Sequence, residues 1–93
     1  MILNFKNSIA AAIFEGRYCK GFPNMLVRVA ARKLEQLHVV SAVTELRLPP
    51  GIRLEALIGD RKGQYSIRIN SQWRVCFRFS GGHARDVEIV DYH

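Results

Sequence analysis

Gln64-Tyr-Ser-Ile-Arg-Ile-Asn-Ser-Gln-Trp-Arg-Val-Cys-Phe-Arg-Phe79 decides the fold of this chain. Its apolar and polar residues alternate with period two on either side of Asn70-Ser71-Gln72, which spells two strands and a turn. Pairing the strands about Ser71 sets Ile69 against Trp73, Ile67 against Val75 and Tyr65 against Phe77. All six are apolar or aromatic, so that face packs on a core. Downstream, Ser80-Gly81-Gly82-His83 makes a second turn and Ala84 to Tyr92 a last strand, with Phe77 expected opposite Val87 and Val75 opposite Ile89. The other face then carries Arg68 opposite Arg74, Arg78 opposite Asp86, Cys76 opposite Glu88 and Arg74 opposite Val90.

Upstream, Gly59 to Gly63 reads as a loop and Arg53 to Ile58 as a further strand. Leu48-Pro49-Pro50-Gly51 breaks the chain. Before the break the period is helical. Leu26, Ala30, Leu34 and Leu37 mark one amphipathic helix from Pro23 to about His38. A shorter helix starts at Asn7 or Ser8 and stops at Gly16. Val39 to Leu46 is ambiguous, with a third short helix capped at Ser41 as one reading, and Met1 to Phe5 can open the chain as a strand. The expected fold is α+β: one domain over residues 1–93, a small, mostly antiparallel sheet with N-terminal helices packed on one face.

At 93 residues and a net charge of +6, the chain is too short for a TIM barrel or a two-half dinucleotide fold. Its 48% apolar content argues against disorder despite that charge. Cys19 and Cys76 lie too far apart in sequence for a CxxC site and form no disulfide framework. The longest apolar run, Ile9 to Phe14, is too short to span a bilayer, and a cytoplasmic protein is expected. There is no phosphate-binding glycine loop, HExxH or calcium loop, and His38, His83 and His93 lack metal-ligand spacing. Neither a metal nor a cofactor is expected.

The positive charge is concentrated. From Arg47 to Arg78, seven basic residues (Arg47, Arg53, Arg61, Lys62, Arg68, Arg74, Arg78) face two acidic ones, Glu55 and Asp60. A polyanionic partner follows, a nucleic acid or an anionic membrane, with Tyr92 and, although it falls on the core face, Tyr65 as candidates for stacking on bases. Like charges placed directly opposite, as Arg68 and Arg74 are, destabilise a sheet. Either both splay into solvent or an anion sits between them. Cleaving an RNA phosphodiester needs little more than such an anion seat. The 2′-hydroxyl must lose a proton, the pentacovalent phosphate needs cationic donors, and the leaving 5′-oxygen must gain a proton.

The runs Arg53-Leu-Glu-Ala-Leu-Ile-Gly-Asp-Arg-Lys-Gly-Gln-Tyr-Ser-Ile-Arg-Ile-Asn70, Gln72-Trp-Arg-Val-Cys-Phe-Arg-Phe79 and Val87-Glu-Ile-Val-Asp-Tyr-His93 resemble the HigB branch of the RelE/ParE toxin superfamily. Leu3-Asn-Phe-Lys6, Phe14-Glu-Gly16 and Leu48-Pro-Pro-Gly51 agree, so the resemblance spans essentially the whole chain. It implies a type II toxin–antitoxin module whose toxin binds the 30S ribosomal A site and cuts mRNA there without metal, giving a 2′,3′-cyclic phosphate. It also implies a helix-turn-helix antitoxin as partner, with operator DNA reached only through that antitoxin, and no membrane. The family's catalytic positions fall on Arg74, Asp91, Tyr92 and His93, with Glu55 at a position that is His in some members. Arg53, Arg61, Lys62 and Arg68 are the expected phosphate contacts. The family's lysine before Gly59-Asp60-Arg61 is Ile58 here, which suggests a weak enzyme. A non-catalytic relative that binds antitoxin or RNA is the first alternative. A ParE-like gyrase poison is the second.

Overall fold

The computed structural model describes residues 1–47 and 53–92. Helix α1 spans Ser8–Phe14 and α2 Val27–Val39, and the four strands are β1 (Glu55–Ala56), β2 (Tyr65–Arg68), β3 (Trp73–Ser80) and β4 (His83–Asp91). The strands form one antiparallel sheet in the order β1-β2-β3-β4. Two antiparallel hairpins in succession need only the tight turns that Asn70–Gln72 and Gly81-Gly82 supply.

Helix α1 begins where Asn7 leaves the extended region and its Oδ1 accepts the Ala10 N–H at 3.1 Å. The same amide also grips β4: Nδ2 donates to the Ile89 carbonyl at 2.8 Å and Oδ1 accepts the Ile89 N–H at 3.3 Å. One side chain thus caps the helix and fixes it to the sheet. Gly16, at φ 74°, ends the element in the left-handed region. The predicted start of the second helix at Pro23 proves to be a 3₁₀ turn over Asn24–Leu26, and the α-helix proper follows. The predicted third helix is likewise a 3₁₀ segment, Val43–Arg47. Ser41 stands two residues before it and donates from both its N–H and its Oγ to Glu45 Oε1.

Ala30, Leu34 and Leu37 from α2 and Ala10 and Ile13 from α1 pack on Ile67, Val75, Phe77, Val87 and Ile89 of the sheet. The β2–β3 register is the predicted one throughout, with Tyr65 opposite Phe77, Ile67 opposite Val75 and Arg68 opposite Arg74. Full burial of side chains such as Phe77 and Leu34 stabilises the fold by roughly 1.5–3 kcal/mol each.

Three expectations need correction. Arg78 does not oppose Asp86: a bulge between Cys76 and Arg78 sets it opposite Arg85. Asp86 sits there at φ 52°, and Asn4 ties it down, its Nδ2 donating to the carboxylate at 2.9 Å and its Oδ1 accepting the Asp86 N–H at 3.1 Å. Arg78 still reaches the Asp86 carboxylate at 3.8 Å. The first segment is not a regular strand. It makes isolated parallel bridges to β4, Ile2 with Ala84 and Phe5 with Val87, because the bulge interrupts the ladder between them. The strand expected over Arg53 to Ile58 shortens to Glu55–Ala56. The predicted break at Leu48–Gly51 lies outside the described residues.

Candidate active site

On the face opposite the helices, the register stacks two rows of mainly polar side chains. Glu55, Ser66, Cys76 and Glu88 lie across the sheet from β1 to β4, and Arg68, Arg74 and Val90 form the next row. Ser66, Cys76 and Glu88 are buried on this face, away from the helices. Basic side chains contact two of them, Arg74 at Ser66 and Lys6 and Arg61 at Glu88.

Arg74 is at the centre. Its Nη1 donates to Ser66 Oγ at 2.7 Å and its Nη2 to Glu55 Oε1 at 3.0 Å. The guanidinium carbon lies 5.3 Å from the centroid of the Tyr92 ring, a cation–π contact. The strand register sets Arg74 between Arg68 and Val90, with no acid directly opposite. The missing partner comes from β1, one strand further out, because Glu55 pairs with Ser66 and Ser66 with Cys76. That placement follows from a two-residue strand whose pairing the sequence does not signal.

Around this centre opens a cleft of about 390 Å³ lined by Arg53, Glu55, Arg68, Asn70, Ser71, Arg74 and Tyr92. Three guanidiniums face one carboxylate, so the cleft has an excess of positive charge. Arg68 makes no ion pair among the described residues, while Arg53 holds a left-handed backbone at φ 48°. Asn70 Oδ1 accepts the N–H groups of Gln72 at 2.9 Å and Trp73 at 2.7 Å, which fixes the β2–β3 turn at the mouth of the cleft.

The structure therefore gathers Arg53, Glu55, Arg68, Arg74 and Tyr92. Asp91 follows at the end of β4, where it opposes Trp73 and accepts from Gln72 Nε2 at 3.0 Å. His93 lies outside the described residues. Arg61 and Lys62 do not line the cleft. Arg61 turns to Glu88 at 3.5 Å, and Lys6 approaches the same carboxylate oxygen at 3.3 Å. Ile58 projects into solvent, 87% exposed. Tyr65 packs in the aromatic layer, 6.0 Å from Phe77, and does not reach the cleft. Sequence reasoning overlooked Asn70 and Ser71, although turn residues between two cleft-lining strands are the natural rim of such a site.

Residues 3–93 match the family described as the RelE-like toxin HigB of type II toxin–antitoxin systems. The chain belongs to the HigB-like toxins. It is 38% identical over 85 residues to the Vibrio cholerae protein named Toxin HigB-1, covering 90% of each chain. It is 31% identical over 93 residues to the Proteus vulgaris protein named Endoribonuclease HigB, covering both chains completely. Membership of a type II module implies an antitoxin protein as partner. Among the described residues no helix of this toxin is long and apolar enough to cross a membrane.

Proposed function

We propose that this HigB-like toxin is an endoribonuclease that cuts mRNA in the ribosomal A site, acting as a single domain in the cytoplasm. The observation that carries the reading is the cleft in which Arg53, Arg68 and Arg74 outnumber Glu55. The name of the Proteus vulgaris relative, Endoribonuclease HigB, supports it.

A scissile phosphate enters between Arg68 and Arg74. The 2′-hydroxyl gives its proton to a carboxylate, and Glu55 is the one already in contact with Arg74. The 2′-oxygen forms its bond to phosphorus, and Arg74 donates to the equatorial oxygens as charge builds on them. The bond to the 5′-oxygen breaks, and that oxygen takes a proton from the chain's C-terminal end, where Asp91, Tyr92 and His93 stand in sequence. The products are a 2′,3′-cyclic phosphate and a 5′-hydroxyl, and no metal enters the balance. A helix-turn-helix antitoxin holds the enzyme inactive and carries the complex to operator DNA.

Mapping 5′ ends on ribosome-bound mRNA after induction tests this, with Arg74→Ala as the control. New ends in the A-site codon from the wild-type chain alone support the reading, and identical maps from both chains sink it. A reduced rate is also part of the proposal, because Ile58 supplies no cation. Ile58→Lys is expected to raise cleavage by about tenfold or more. Intact mRNA together with DNA damage would instead favour a gyrase poison.

A further inference from the structure

The end of β4 is tied to the β2–β3 turn beside the cleft. Beyond the last paired residues, Trp73 and Asp91, Gln72 makes two contacts. Its carbonyl accepts the Tyr92 N–H at 2.7 Å, and its Nε2 donates to Asp91 Oδ2 at 3.0 Å. Gln72 is itself fixed, since its N–H donates to Asn70 Oδ1. The chain of contacts therefore runs from the turn, through Gln72, to Asp91 and Tyr92. From Tyr92 it runs on to the Arg74 guanidinium beneath the ring.

We infer that Gln72 is a positioning residue for the cleavage reaction: its side-chain amide orients the Asp91 carboxylate and so holds the Asp91–Tyr92 tail over Arg74. This rests on the endoribonuclease reading and adds to it a residue outside the cleft lining. Gln72 is exposed and contributes nothing to the core, so its role is separable from folding. The backbone carbonyl survives any substitution, which keeps the Tyr92 rung of the ladder. Only the tie to Asp91 is lost in Gln72→Ala.

A hydrogen bond to a charged group is strong enough that its loss should lower kcat on the order of tenfold. KM should change little, because Arg53, Arg68 and Arg74 remain to bind phosphate. The decisive experiment is a double-mutant cycle on single-turnover mRNA cleavage with Gln72→Ala, Asp91→Ala and the pair, beside Gln72→Asn. The expected result is a fall in kcat for Gln72→Ala, partial recovery with the shorter amide, and no further loss when Gln72→Ala is added to Asp91→Ala, which leaves no acceptor for the amide. Unchanged kcat overturns the inference. So does a rise in KM alone, or a loss that multiplies in the Asp91→Ala background, since either makes Gln72 a direct RNA contact. If the unaltered chain and Arg74→Ala cleave equally, the endoribonuclease reading itself falls and takes this one with it. If the unaltered chain cleaves and Gln72→Ala matches it, only this inference falls.

Discussion

Two charge clusters share one face of the sheet, and they are built inside out relative to each other. At Arg74 the cation is the sheltered member, with 12% of its side chain exposed, and its acid Glu55 is 51% exposed. At Glu88 the acid is sheltered, 10% exposed, and the cations stand outside, Lys6 at 57% and Arg61 at 34%. A sheltered cation with an exposed acid can exchange that acid for an incoming phosphate without becoming unpaired. A sheltered carboxylate held by two cations offers an anion nothing. It joins three separate segments, the N-terminal stretch, the loop after β1 and β4. Similar residues at neighbouring positions thus leave a cation open to an anion in one cluster, the proposed reactive centre, and make a clasp in the other.

The largest expected effect falls on the first cluster. On the proposed mechanism Arg74→Ala removes the donor to the developing phosphate charge and should lower cleavage by about 10²–10³-fold. Its thermal unfolding should change far less, as measured by circular dichroism. Arg74→Lys should recover only part of the rate, because an ammonium cannot serve Ser66, Glu55 and a phosphate in one plane.

Glu55 comes next, and here the sign of two measurements separates two roles. If Glu55 is the base that takes the 2′-hydroxyl proton, Glu55→Gln lowers cleavage by about 10²-fold. The same change removes a competitor for Arg74, so a non-cleavable 2′-deoxy substrate should bind more tightly. A Glu55 that merely holds Arg74 in place would weaken binding and cleavage together. Fluorescence titration beside single-turnover kinetics reads both.

At the second cluster the expectation reverses. Glu88→Gln should cost about 1–2 kcal/mol of stability, well below the loss from stranding a charge in a dry core, since Lys6 and Arg61 can hydrate once released. Cleavage by the folded fraction should stay within a few-fold. Urea midpoints at low and high salt check this: the loss should shrink as salt screens the pairs. A Glu88→Gln chain that folds normally but cleaves a hundredfold more slowly would break the distinction between centre and clasp.

Much of this was legible in the sequence because strand alternation is a strong signal. Ile67, Val75 and Phe77 on one face forced Arg68 and Arg74 onto the other, and one turn at Asn70–Gln72 fixed their register. What stayed hidden depends on events without a local signature. A single extra residue near Asp86 set Arg78 opposite Arg85, although its side chain still reaches Asp86, and no glycine marks that bulge. Glu55 reached Arg74 through a two-residue strand. Arg61 pairs with Glu88 outside the cleft lining, a contact the sequence does not signal, because charge counting along the chain says nothing about which acid is nearest in space. Gly63 is a further case. It lies at φ 94°, and a Cβ there would come 2.8 Å from the Arg78 guanidinium, a constraint the sequence shows only as a loop glycine.

Cys76 lies between the two clusters and gives the smallest and finest test of the comparison. Its thiol is pushed above its ordinary range, first by burial. Arg61 pulls it back, Glu88 raises it, and Arg74 and Lys6 lower it. The folded protein therefore keeps a proton that the unfolded chain releases sooner. The stability from this group is complete below the ordinary thiol range, and it is lost as pH rises from there through the raised value. Unfolding midpoints from neutral to alkaline pH should fall more steeply for the wild-type chain than for Cys76→Ala. Carbon NMR of the cysteine Cβ then reads each cluster separately. Glu88→Gln should move the thiol titration down, and Arg61→Gln should move it up. Arg74→Gln should also move it up, by less, since Arg61 exerts the larger pull. If Glu88→Gln left the titration unmoved while Arg74→Gln shifted it, the clasp would be electrically remote from the row it spans. The contrast drawn between the two clusters would then rest on Arg74 alone.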